Sequence, residues 1–217
     1  MNLASYLDLA NHHADATPQQ IEELCQNVLK YKFNAAFVNP LYVPLATRHV
    51  PRAKVGTVIS FPLGQDILDI KLAAAKLAAT QGADELDISA NVALFKTGSW
   101  TSAQTEMTQL VTTAKAINPH IIVKFIIETG YLTPKEIKTA SLAVLNSGAD
   151  FVKTCSGMGP RGATLEDVKL IRDAVGRNIK LKVAGGIGTY TQALAFIQAG
   201  TDRIGTSRAI EIVTSPV

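Results

Sequence analysis

Short, largely apolar runs alternate along the chain with longer stretches in which apolar side chains return every three or four positions. The first kind of pattern predicts buried strands and the second helices that lay one face on a core. The predicted strands are Leu7-Asp8-Leu9, Ala35 to Val38, Val55 to Ile59, Glu85 to Ile88, Ile121 to Ile127, a short run ending at Lys153, Lys180 to Ala184, and Arg203 to Thr206. Between them the pattern predicts a helix opening at Thr17-Pro18 with Ile21, Leu24, Cys25 and Leu29 on one side. Further helices are predicted over Pro44 to His49, Ile67 to Thr80, Thr133 to Asn146 and Thr191 to Gln198. A long segment from Val92 to Ile117 breaks near Gly98 and resumes at Ser102, and Thr164 opens a helix with a capping-box start. Eight strands joined by helical crossovers imply parallel pairing, and a closed (β/α)8 TIM barrel of one domain, residues 1–217. No glycine-rich dinucleotide fingerprint follows the first strand, which argues against an open nucleotide-binding sheet.

A weak internal repeat sharpens this expectation. Gly82-Ala83-Asp84, Gly148-Ala149-Asp150 and Gly200-Thr201-Asp202 each close a helix and open a strand. Five residues beyond each glycine stand Asp87, Lys153 and Gly205. Superposable units would put these three at one height near the C-terminal strand ends, where barrels of this kind carry their chemistry.

Composition narrows the function. The chain has 217 residues, 47% of them hydrophobic, and a formal net charge of +3. No Lys/Arg run marks a nucleic-acid or membrane surface, and no apolar run is long enough to cross a bilayer. Cys25 and Cys155 have no disulfide or metal spacing, and the N-terminal stretch reaches Asp8 without a signal-peptide core. The expectation is a cytoplasmic protein. His12, His13, His49 and His120 lack metal-ligand spacing, so no metal is expected; His12 and His13, just after the first strand, are placed to line a site.

Lys124, Lys153 and Lys182 each interrupt an apolar strand, at successive spacings of 29 residues (153 − 124 and 182 − 153). A lone lysine there often keeps its head in water. Three on adjacent strands, with Asp87 at a matching height, point to chemistry. Neighbouring ammonium groups lower one another's pKa, and a lysine with free amine attacks a carbonyl to form a Schiff base. Asp87, with Asp8, can position water and move protons. The loops at Gly185-Gly186 and Gly205-Thr206-Ser207 follow the last two strands, where barrels bind phosphate through backbone N–H groups.

The segments Gly82 to Asp87, Lys124 to Gly130, Ala149 to Thr154, Lys182 to Gly186 and Arg203 to Ser207, with Val38-Asn39-Pro40 and Ser60 to Gly64, resemble the deoxyribose-phosphate aldolase family. The resemblance runs over nearly the whole chain. It implies a class I aldolase without metal or other cofactor, interconverting 2-deoxy-D-ribose 5-phosphate with D-glyceraldehyde 3-phosphate and acetaldehyde. It further implies that Lys153 is the Schiff-base lysine, that Lys182 lowers its pKa, that Asp87 and Asp8 relay protons, and that Lys124 belongs to the catalytic set. Gly157, Gly185, Gly186, Gly205, Ser207 and Arg208 are the implied substrate- and phosphate-binding positions, and a homodimer the implied assembly.

Four departures bear on the pocket. Ala10 stands where the family has threonine, Phe37 where many members have a reactive cysteine, Gly188 where an arginine is common, and Arg208 where a small residue is usual. Core filling is the simplest expectation for Phe37. Arg208 either supplies phosphate-binding charge or crowds the pocket. Two alternatives follow: a Schiff-base aldolase with a different or unphosphorylated acceptor, and a non-catalytic barrel that binds sugar phosphates.

Overall fold

The computed structural model of the chain describes residues 2–51 and 53–215. The expected 1–217 domain also takes in Met1, Arg52, Pro216 and Val217, which lie outside the described residues. Eight parallel strands close into a barrel in sequence order: β1 (Leu7–Asn11), β2 (Ala35–Val38), β3 (Lys54–Ile59), β4 (Glu85–Ser89), β5 (Ile122–Ile126), β6 (Phe151–Lys153), β7 (Lys180–Ala184) and β8 (Arg203–Thr206), with β8 returning to β1. The crossovers carry α1 (Pro18–Tyr31), α2 (Val43–His49), α3 (Leu68–Thr80), α4 (Val92–Lys96), α5 (Trp100–Ile117), α6 (Pro134–Asn146), α7 (Leu165–Val175) and α8 (Tyr190–Gln198), and α9 (Ala209–Thr214) follows the last strand.

Strand β1 runs on to Asn11, beyond the expected Leu9, and two of the helices also differ from the sequence expectation. Helix α5 begins at Trp100 rather than Ser102, because the indole stacks on Phe95 of α4 (centroids 5.5 Å apart) and starts the helix. Helix α9 was not expected. Its six residues are too few to show a helical period.

The repeat has a physical basis. Gly82, Gly148 and Gly200 all have positive φ (98°, 80° and 104°), which lets the helix end turn sharply into the next strand. The aspartate two residues on then clamps the preceding strand. Asp84, Asp150 and Asp202 donate their backbone N–H to the carbonyls of Val55, Val123 and Leu181, and their carboxylates accept the N–H of those same residues at 2.8–2.9 Å. The clamp fixes strand register at three places around the barrel.

Register decides what shares a level. Advancing one residue per strand, as an eight-stranded barrel of this shear does, the pairings place inward-facing residues in layers of four from alternate strands. Phe37, Asp87, Lys153 and Gly205 form the upper layer. Asp8, Gly56, Lys124 and Lys182 lie beneath it, and Ala35, Glu85, Phe151 and Arg203 beneath those. The expected common height of Asp87, Lys153 and Gly205 holds. The equal spacing of the lysines does not mean a common level, since Lys124 and Lys182 sit one layer below Lys153.

Candidate active site

Two glycines leave gaps in these layers, and two large side chains use them. A Cβ on Gly205 would stand 2.9 Å from Lys182 Cε, so its absence lets Lys182 rise out of its own layer. A Cβ on Gly56 would stand 2.2 Å from Phe37 Cζ, so Phe37 sinks into the space beneath. There its ring lies 3.5 Å under Lys182 Nζ and 4.8 Å from Lys124 Nζ. Phe37 fills the core as expected, and it also gives two ammonium groups an aromatic face.

The polar groups form a closed chain of alternating charge. Asp87 Oδ2 accepts from Lys182 Nζ at 2.9 Å, and Lys182 Nζ lies 2.8 Å from Asp8 Oδ2, a charge contact off the hydrogen-bond direction. Asp8 Oδ1 accepts from Arg203 at 2.7 Å and from Asn34 at 2.8 Å, and Arg203 reaches Glu85 at 3.2 Å. Glu85 accepts from Lys124, which returns to Asp87 Oδ1 at 2.9 Å. Three cations thus face three anions, all buried. Lys153 is a seventh member: its Nζ donates to Asp87 Oδ2 at 2.7 Å. Lys54 also approaches Glu85 (3.4 Å), but it is half exposed and water screens it.

Lys153 is therefore the surplus buried cation, and it is the one that weakens. Burial first, opposed by Asp87 but aided by Lys182 and Lys124, lowers its pKa to about 8. Lys182, expected from the resemblance to be the cause, ranks behind burial. Lys124 moves the other way, since Asp87, Glu85 and Asp8 outweigh its burial and raise it. Burial works against ionising Asp87, but the three lysines hold its carboxyl well below the usual range. Glu85 likewise overcomes burial through Lys124, Arg203 and Lys182, and falls to about 2.

Above the upper layer opens a cavity of about 270 Å³. Lys153, Lys182 and Asp87 form its floor with Phe37, and Gly157, Gly185, Gly186, Gly205, Ser207 and Arg208 line it. Asp8 and Lys124 do not reach it. Asp8 touches it only through Lys182, and Lys124 is sealed under Asp87. A larger cavity of about 390 Å³ beside it shares Ser156 and Met158 but is lined by none of Lys124, Lys153 and Lys182.

The glycine loops cluster at one end. Gly157, Gly185 and Gly186 have positive φ (89°, 93° and 78°), and Thr206 Oγ1 donates to the Ile187 carbonyl at 2.7 Å, tying the β8 end to the Gly185-Gly186 loop. Arg208 lies across this loop: a Cβ on Gly188 would be 2.2 Å from its Nη1. The absent side chain at 188 makes room for a guanidinium from 208. Gly205 lines the same cavity, and its missing side chain also makes room for Lys182.

His12 also lines the cavity, its ring 5.3 Å from Phe61. Burial, then the Lys153 charge, lowers its pKa to about 3, so the imidazole is neutral. Glu85 and Arg203 were missed by the sequence reading. Each stands two residues before a position that it did single out, Asp87 and Gly205, so strand alternation puts them on the same inner face. Cys155 is buried against Thr129 (3.2 Å) and does not line the cavity. Among the described residues, no group of His, Cys, Asp or Glu could hold a metal, and no helix is long and apolar enough to cross a membrane.

Comparison with known proteins gives a consistent result. A sequence model described as DeoC/LacD family aldolase matches residues 3–206. The chain is 44% identical to the deoxyribose-phosphate aldolase of Thermococcus gammatolerans, over 98% of this chain and 96% of that protein. It is 41% identical to that of Thermoanaerobacter sp. (strain X514), with the same coverages. Among solved structures, one titled "QR15, an Aldolase" superposes with a TM-score of 0.93 at 37% identity, covering 98% of this chain and 95% of that one. A deoxyribose phosphate aldolase from Aeropyrum pernix, described as a unique tetrameric structure, gives 0.90 at 28% identity, covering 98% and 90%.

Proposed function

Because the chain belongs to the DeoC/LacD family of aldolases, we propose that it interconverts 2-deoxy-D-ribose 5-phosphate with D-glyceraldehyde 3-phosphate and acetaldehyde, with residues 1–217 as one catalytic domain. The observation that carries this reading is Lys153: its amine lines the cavity, has a pKa of about 8, and shares one oxygen of Asp87 with Lys182.

In the condensing direction the free amine of Lys153 attacks the acetaldehyde carbonyl to form a carbinolamine. Loss of water gives the iminium. A methyl proton then leaves, and the resulting enamine carbon attacks the aldehyde of glyceraldehyde 3-phosphate. Addition of water to the new iminium releases the product and restores the amine. Asp87, ionised and hydrogen-bonded to both lysines, accepts and returns these protons. Lys182 is the charged neighbour that helps keep Lys153 unprotonated, and Asp8 joins the relay through Lys182. Lys124 serves as the buried counterion that keeps Asp87 and Glu85 ionised. The glycine loops at 157, 185 and 186, with Ser207 and Arg208, hold the phosphate.

The similarity of relatives named deoxyribose-phosphate aldolase supports the substrate. Trapping with acetaldehyde and borohydride, followed by peptide mass spectrometry, tests the chemistry. A reduced adduct on Lys153 is expected, and its absence would sink the mechanism. Arg208 over Gly188 favours a second reading, an acceptor with a different anionic arrangement; turnover of phosphorylated against unphosphorylated aldehydes separates the two. Binding of sugar phosphates without any adduct would favour the non-catalytic barrel.

We also carry a cytoplasmic location and a homo-oligomer as readings for this chain. The first is supported by two buried free cysteines, the second by the relative described as tetrameric.

A further inference from the structure

The β1 side of the active cavity is short of hydrogen-bonding groups. Asp8, Ala10 and His12 face inward in turn along β1 and just past its end, by strand alternation. Asp8 is spent on Lys182 and Arg203 beneath the cavity, and Ala10 offers only a methyl group. Phe37 of β2 and Phe61, in the loop after β3, continue the same wall. Among the described residues, the polar side chains set into this wall are His12 and the exposed His13.

His12 has hydrogen-bonding capacity that the protein leaves unused. Its ring rests 5.3 Å from that of Phe61, tilted by 49°, and its Nδ1 is buried without a partner among the described residues. A buried polar atom left unpaired is destabilising, so one kept in a cavity wall calls for a ligand group to pair it. Burial and the Lys153 charge keep the imidazole neutral, with a pKa of about 3. A neutral imidazole has one donor and one acceptor but no net charge. It therefore suits a hydroxyl and not a phosphate.

The order of the strands says which hydroxyl. Strand β1 adjoins β8, which Ser207 and Arg208 follow, and β2 stands opposite β6, which carries Lys153. Under the aldolase reading, on which this inference rests, a three-carbon acceptor has its aldehyde at Lys153 and its phosphate at the loops after β7 and β8. The middle carbon then lies against the β1 side of the cavity, with its hydroxyl the one neutral polar group left to satisfy. We propose that His12 is a specificity-determining residue, recognising the hydroxyl next to the aldehyde of the acceptor through a hydrogen bond with its imidazole. Ala10, by contributing no polar group of its own, leaves that task to His12.

Rates of condensation with acetaldehyde, measured for D-glyceraldehyde 3-phosphate and for 3-oxopropyl phosphate, which lacks only the hydroxyl, test the proposal. The wild type is expected to favour the hydroxylated acceptor in kcat/KM. His12→Leu keeps much of the bulk and removes both nitrogens, and should cut that preference about 3- to 10-fold, the size of one neutral hydrogen bond. His12→Gln keeps a donor and an acceptor and should retain most of it. The borohydride adduct that each variant forms with acetaldehyde on Lys153 reports folding and amine reactivity without involving the hydroxyl. A wild type that forms no adduct would overturn the aldolase reading itself. With the adduct present, equal wild-type rates on both acceptors, or a preference that survives His12→Leu, would overturn the part given to His12 alone. Equal losses in the leucine and glutamine variants would overturn the hydrogen bond, leaving the shape of the ring as the cause.

Discussion

Gly205 and Lys182 occupy one space: a Cβ on the glycine would lie 2.9 Å from Lys182 Cε. Lys182 starts a layer below Lys153 yet meets it at the same oxygen of Asp87, because β8 contributes no side chain at that level. Gly205→Ala should therefore push the ammonium of Lys182 off Asp87 while leaving the cavity open. Since misplacement by about 1 Å can cost roughly 100-fold in rate, turnover is expected to fall by that order. A near-normal rate would show that Lys182 reaches Asp87 without the gap.

The free amine of Lys153 sets the pH dependence. Its pKa is lowered to about 8, so the adduct rate should rise about tenfold per pH unit below that value and level off above it. No inflection near 6.5 is expected, because His12, at about 3, is already neutral. The linkage has a definite sign. The unfolded chain holds the Lys153 proton up to its ordinary pKa of 10.5, so this group's destabilising effect is fully present below about pH 8 and fades as pH rises towards 10.5. Trapping rates and urea midpoints across this range measure the two effects.

Lys182 and Lys124 should separate by readout. Removing the charge of Lys182 takes away one cause of the low Lys153 pKa, so Lys182→Leu should move the adduct midpoint to higher pH. An unchanged midpoint would contradict its assigned part. Lys124→Met leaves Glu85 and Asp87 short of a buried partner, which costs about 3–5 kcal/mol. Thermal unfolding should report that loss, and any folded fraction should still form the adduct.

Phe37 and Gly56 are predicted to be coupled. A methyl at 56 meets the Phe37 ring at 2.2 Å, with no room for the buried ring to shift freely. Gly56→Ala should destabilise the fold by about 1–3 kcal/mol, as overpacking does. Phe37→Leu should relieve much of that cost in the double variant, read as a non-additive change in denaturant midpoint.

Arg208→Ser should raise KM for a phosphorylated acceptor about 10- to 100-fold, the range of a lost charged hydrogen bond of about 1.5–3 kcal/mol. An unphosphorylated acceptor should be unaffected. Gly188→Ala should mimic part of this effect without unfolding, because the atom it meets is the mobile end of Arg208. Equal losses for both acceptors would show that Arg208 shapes the pocket rather than binding phosphate.

The local code was sufficient for the eight strands and the crossover helices, though not for α9, and for three charged positions that the barrel turns inward. Strand and helix alternation reflects burial along a short stretch, and the Gly-x-Asp repeat marks a helix end followed by a strand clamp. Both are properties of neighbouring residues, so Lys153, Lys182 and Asp87 were legible at the strand ends. The levels were not. Which inward residues meet depends on the stagger accumulated around the closed barrel, a quantity that no single unit contains. That stagger puts Lys124 beneath Lys153, links Glu85 and Arg203 into the charge ring, and sets Gly56 and Gly205 where their missing side chains admit Phe37 and Lys182. The chain alone determined which residues carry charge into the barrel; the tertiary structure decided that Lys153 is the cation left without an anion of its own.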